Sequence, residues 1–304
     1  MIKHRVRWLM LPALVFHSAA CRAAGVLDPA GPIGSAEKTM LLDALAIMMC
    51  VVAPVIIATL AFAWWFRASN IKAKYIPDWE YSGRIEIAVW SIPAMVVLFL
   101  GGIGWVGSHE LDPPKPIVEH GVKPLKVQVV SIDWKWLFIY PDQKIASVNR
   151  LEIPAGVPVE FTLTSADVMN AFFVPQLGTM IYTMAGMSTH LNLEASDPGT
   201  YPGLSSHFSG DGFSDMRFDT VAVSPDEFRH WAESTASSDS LLDEAAYKRL
   251  AQPSQHDPVS TFGHVEPGLF DKIVALSAPG TMTGALGEMQ PNPASSPSPH
   301  KMEN

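Results

Sequence analysis

The chain has 304 residues, a formal net charge of −9 and 48% hydrophobic residues, while charged residues make up only 17%, below the roughly 25% usual for soluble proteins. That length holds one medium domain plus membrane segments, and the acidic balance argues against a nucleic-acid partner, because phosphate binding needs a basic surface. Both cysteines, Cys21 and Cys50, lie in the first half of the chain, so a domain built from residues 110–304 has neither a disulfide nor a thiolate metal ligand.

At the amino terminus, Lys3, Arg5 and Arg7 precede a short apolar run from Trp8 to Phe16 and the small residues Ser18, Ala19 and Ala20. This pattern predicts a secretory signal peptide over 1–20, since the run is too short to cross a bilayer. Cys21, directly after the small residues, is a lipidation candidate of the lipoprotein type, although Ser18 stands where such sites usually carry leucine. The alternative is ordinary cleavage near Ala20.

Two apolar runs follow, Ala44 to Phe66 and Ile87 to Val106. Each is long enough to span the hydrocarbon core, and neither keeps the polar face of a buried core helix. They predict transmembrane helices over 44–66 and 86–107. Trp64, Trp65, Trp90 and Trp105 lie near the ends, where indole rings favour the interface. Pro54 and Pro93 fall inside, as such helices tolerate. The loop 67–85 carries Arg67, Lys72, Lys74 and Arg84 against Asp78 and Glu80, which places it in the cytoplasm. The 21–43 segment and the large carboxy-terminal region then face the periplasm of a bacterial inner membrane. Asp43, just before the first span, is expected at the interface, and Cys50 as a small residue facing a helix neighbour.

Residues 108–124 read as a linker, with Pro113, Pro114, Pro116 and Pro124. Apolar residues then recur with period two, as at Val127 and Val129, at Val159, Phe161 and Leu163, and at Met187, Leu191 and Leu193. Turn signals at Pro141–Asp142, Pro154–Gly156, Asp197–Gly199 and Gly210–Gly212 separate the runs. Short strands so punctuated predict a β-sandwich or barrel over 125–225. An extension over 226–277 favours helix at Asp226–Leu250, with Phe228, Trp231, Leu241 and Leu242 as apolar contacts, and again at Leu269–Leu276. The tail 278–304, rich in Pro, Ser and Asn, predicts disorder.

The run Asp133-Trp134-Lys135-Trp136-Leu137-Phe138-Ile139-Tyr140-Pro141 closely resembles the aromatic segment of subunit II of haem–copper oxidases. Val168 through Gly178 resembles the family's next landmark, and Gly199 through Gly203 with Phe208 through Met216 the third. The resemblance runs from the first span to about Ile273. It implies a two-helix transmembrane hairpin, a periplasmic cupredoxin-like β-sandwich and a short helical carboxy-terminal segment. Members that accept electrons from cytochrome c hold a dinuclear copper centre on two cysteines, two histidines, a methionine and a glutamate carbonyl. At the corresponding positions this sequence has Ser205 and Ser209, Asn170 and Phe213, Met216, and His207. An alcohol is a poor copper ligand and cannot bridge two metals as a thiolate does, so the resemblance narrows to the quinol-oxidase branch, of the cytochrome bo type. It implies no cofactor on this subunit, haems and copper in a partner subunit I, ubiquinol as the substrate of the complex, and subunit I, further oxidase subunits and membrane lipid as partners.

Glu86, at the cytoplasmic edge of the second span, matches the family's carboxylate near a proton-uptake pathway into subunit I; the plain alternative is a helix-start carboxylate favoured by the macrodipole. Trp134 and Trp136 are expected as a structural aromatic patch filling the base of the sandwich. Met169, Met180, Met184, Met187 and Met216 could form a Cu(I) site, but core packing is the expected use. His190 and His207 are expected on the surface. Two other readings compete: a cytochrome c oxidase subunit with a degenerate copper centre, and a free-standing anchored cupredoxin-like protein for copper handling or oxidase assembly.

Overall fold

The structure, a computed structural model, describes residues 25–74, 76–117 and 122–278. The signal segment, Cys21 and the tail from residue 279 lie outside the described residues.

Two helices are long and apolar enough to cross a membrane, α1 (Pro32–Trp65) and α2 (Gly83–Glu110). Both extend past the predicted spans. α1 starts at Pro32, whose fixed φ suits the first helical position, and runs through Ser35, Glu37, Lys38 and Asp43 before the apolar run begins. α2 continues through Ser108–Glu110, residues assigned from sequence to the linker. Apolarity marks the membrane slab, whereas hydrogen bonding sets the helix length. The start of α1 is seated on the β domain. Ala30 N–H donates to the Gln176 carbonyl at 2.7 Å, Gly34 N–H to that of Leu177 at 3.0 Å, and Ser196 N–H to that of Ala30 at 2.8 Å. This approach requires glycine at 31, where a Cβ would lie 2.1 Å from the Glu194 carbonyl oxygen.

The β domain stacks two sheets. Strands β1 (Leu125–Ile132), β2 (Lys135–Tyr140), β3 (Ile145–Val148), β4 (Arg150–Pro154), β5 (Val159–Ser165), β6 (Asn170–Phe173), β7 (Ile181–Thr183), β8 (Thr189–Leu193), β9 (Gly199–Ser205) and β10 (Arg217–Val223) follow in chain order. One sheet contains β3-β2-β1-β5-β8 and the other β4-β10-β9-β6-β7. Between them lies an aromatic core. Phe172 stacks on Phe218 at 5.1 Å, and Trp136 meets both rings edge-on at 5.5 Å. Tyr140 closes the far end, accepting from the Glu152 N–H at 2.9 Å and donating to the Glu152 carbonyl at 3.0 Å.

The extension is helical, as expected, but it also adds short strands and completes the first sheet. α3 (Pro225–Ala236) starts at a capping box between Ser224 and Glu227 and sends Phe228 and Ala232 into the main core. The helix predicted to reach Leu250 is broken: β11 (Leu241–Leu242) intervenes before α4 (Glu244–Leu250). Asp243 caps α4, accepting from the Ala246 N–H at 2.7 Å. β12 (Ser260–Phe262) pairs with β3 and becomes the sixth strand of the first sheet, and β13 (His264–Val265) pairs with β11. α5 (Leu269–Leu276) then lies down with Leu269, Phe270 and Ile273 buried. These residues, with Leu242 and Tyr247, form a second core against Val130, Ile132, Leu137 and Ile139. β2 is therefore buried on both faces, which is why its sequence runs apolar instead of alternating.

Candidate functional site

The β1–β2 turn and the loops 166–169, 184–188 and 206–216 emerge at one end of the sandwich, fixed there by the strand registers. This end gathers the positions that the resemblance assigns to copper ligands. Asn170 and Ser205 are buried and bonded to each other. The Ser205 hydroxyl donates to Asn170 Oδ1 at 3.0 Å, with the His207 carbonyl at 3.2 Å as its alternative acceptor. Asn170 Nδ2 donates to the Val168 carbonyl at 3.3 Å, and Thr183 Oγ1 to the Asn170 carbonyl at 3.3 Å. Ser209 Oγ lies 4.0 Å from the sulfur of Met216, which is buried. Phe213 meets Phe208 edge-on at 5.6 Å. Asn170 and Phe213 offer an amide and a phenyl ring where the centre would need imidazoles, and Ser205 and Ser209 offer hydroxyls where it would need thiolates; the Met216 thioether and His207, at the backbone-carbonyl position, complete the set. Among the described residues, no group of three or more His, Cys, Asp and Glu comes together that could hold a metal.

The two tryptophans divide. Trp136 is fully buried in the middle of the aromatic core, not at the base of the sandwich. Trp134 sits in the turn at the ligand-position end with φ 63, a left-handed conformation that costs a non-glycine residue about 1–3 kcal/mol. It is held there by Nε1 donating to the Ser209 carbonyl at 3.2 Å and by packing on Gly212, where a Cβ would lie 2.4 Å from the ring. Beside it, burial raises the Asp133 carboxyl, with Asp167 adding to the effect and Lys135 opposing it.

Core packing of the methionines holds for Met216 alone. Met169, Met180 and Met187 are exposed and Met184 is half-buried, because they fall in the loops at this end and next to the edge strand β7. Met187 precedes β8 instead of lying in it. Together with Val168, Tyr182 and the highly exposed Phe208 they make this end apolar. The two histidines do not meet: His190 is exposed on β8, and His207 is half-buried in the 206–216 loop of the other sheet, with its ring 5.8 Å from that of Tyr182.

Glu86 lies in the first turn of α2, its N–H donating to the Ser82 carbonyl at 3.0 Å, with its side chain exposed. Cys50 is exposed on α1. Lys135 was not singled out from sequence, yet it is the one charged side chain of β2. It is buried, donating to the Gln252 carbonyl at 3.1 Å, to Ser254 Oγ, and to Asp257 Oδ2 at 3.0 Å. It thereby ties β2 to the segment between α4 and β12.

Residues 142–223 match the family described as cytochrome c oxidase subunit II, periplasmic domain, and residues 236–276 match the COX aromatic rich motif. The chain is similar to ubiquinol oxidase subunit 2 of Acetobacter aceti, with 53% identity over 251 residues, covering 82% of this chain and 81% of the relative. It is also similar to cytochrome bo(3) ubiquinol oxidase subunit 2 of Pseudomonas aeruginosa, with 45% identity covering 88% and 80%. Quinol oxidase subunit 2 of Bacillus cereus is 34% identical, covering 81% and 84%. With identities of 45–53% over more than four fifths of this chain, the chain belongs to the ubiquinol oxidase subunit II family of haem–copper oxidases.

Proposed function

We propose that this chain is the non-redox subunit of a complex that couples ubiquinol oxidation and oxygen reduction to proton translocation. In this reading it binds no cofactor, and the haems and copper reside in the partner subunit I. The observation that carries the reading is the hydrogen-bonded Asn170–Ser205 pair. Where a cytochrome c oxidase would need an imidazole and a thiolate, the side chains satisfy one another. A lipid-soluble donor delivers electrons within the bilayer, so a periplasmic copper relay has no task. The chain then serves as an inner-membrane scaffold, its two helices packed beside subunit I and its sandwich covering the periplasmic face. Glu86, exposed at the helix start on the positively charged side, supplies an auxiliary carboxylate at the mouth of a proton-uptake pathway.

A tag on this chain tests the proposal. The purified membrane complex should contain haem and oxidise ubiquinol but not reduced cytochrome c, and the chain separated from its partners should carry no stoichiometric copper. Preference for cytochrome c, or copper on this chain, overturns it. Glu86→Gln should slow proton-coupled turnover with assembly intact, and unchanged turnover removes Glu86 from the uptake route.

A further inference from the structure

We draw no further inference here: the strongest candidate, the apolar patch that Val168, Met169, Met187 and Phe208 leave exposed at the ligand-position end of the sandwich, is an unpartnered face, and nothing in the structure shows what covers it.

Discussion

The Lys135–Asp257 pair gives the sharpest test of how the extension is held. The two ends are unequally buried: the Lys135 side chain is 2% exposed and that of Asp257 27%. Removing one member of a fully buried pair costs about 3–5 kcal/mol, chiefly through the charge left behind. Asp257→Ala strands the ammonium in the interior with only the Gln252 carbonyl and Ser254 Oγ as acceptors. Because water can enter at the Asp257 edge, we expect about 2–3 kcal/mol. Lys135→Met keeps the stem volume, removes the buried charge and leaves an aspartate that can hydrate, with only the two neutral acceptors unpaired, for about 1–2 kcal/mol. Hydrogen exchange on the whole complex reads these values as local opening of residues 241–265. Asp257→Ala should speed exchange there about 30- to 150-fold and Lys135→Met about 5- to 30-fold. The double variant should be no worse than Asp257→Ala alone. A larger effect from Lys135→Met would refute the desolvation reasoning, and no effect from either would show that hydrophobic contacts alone hold the segment. The pH dependence follows with a definite sign. Burial raises the Asp257 carboxyl, but hydrogen bonds from Ser254 and Lys135, with the ammonium's charge, outweigh it and hold the group below its usual value. The stabilisation is therefore complete above the ordinary carboxylate range, about pH 4, and is lost only as pH falls through the depressed value. The protection factor in the segment, exchange corrected for its intrinsic pH dependence, should stay flat from neutrality to about pH 4 and fall below it.

Tyr140→Phe removes the hydroxyl that serves both the N–H and the carbonyl of Glu152. Leaving those buried groups unpaired should destabilise the domain by about 1–3 kcal/mol, read as a lower thermal midpoint. Gly203→Ala would set a Cβ 2.1 Å from the Phe218 ring and break the Phe172–Phe218 stack, for about 1–3 kcal/mol and altered near-ultraviolet circular dichroism. Ser205→Ala deprives Asn170 Oδ1 of its donor, with an expected loss of about 1–2 kcal/mol and faster exchange in the 206–216 loop. Burial pushes the Tyr247 phenol up to about 12. The folded state therefore keeps a proton that the unfolded chain releases near pH 10, so stability should fall as pH rises between those values. Tyr247→Phe should flatten that slope.

The sandwich was legible where one face of a strand is buried and the other is not. Val159, Phe161 and Leu163 alternate because β5 has a core side and a more exposed side there. The same logic fails at β2, whose run Lys135–Tyr140 is buried throughout. It reads as an aromatic motif, and the layer that covers its second face cannot be inferred from it. That layer was missed because β11, β12 and β13 are two or three residues long, too short to show a period, and their partners lie far away in sequence. The charged residue inside the apolar run was the available signal, since a lone lysine there needs a counter-charge from elsewhere. The methionines misled for a different reason. A thioether suits a core and an adaptable surface equally, and only the strand registers place Met169, Met184 and Met187 at the loop end.

The ligand-position end can be read as a substitution of one cross-link by another. The positions that the resemblance assigns to copper ligands lie on the strand carrying position 170 and on the loop carrying 205–216. Here that junction is made by the Ser205–Asn170 hydrogen bond, by Ser206 N–H donating to the Ala171 carbonyl at 3.1 Å, and by Trp134 resting on Gly212 while bonding the Ser209 carbonyl. Hydrogen bonds are individually weaker than metal bonds, so the loop needs further support, and two features supply it. The aromatic core reaches up to the junction through Trp136 and Phe172, and the left-handed turn at Trp134 brings a large ring directly under the loop. The aromatic run therefore holds this end of the domain in shape, through Trp134 under the loop and Trp136 against Phe172. The exposed Phe208, Met169 and Met187 then leave that end with an apolar surface.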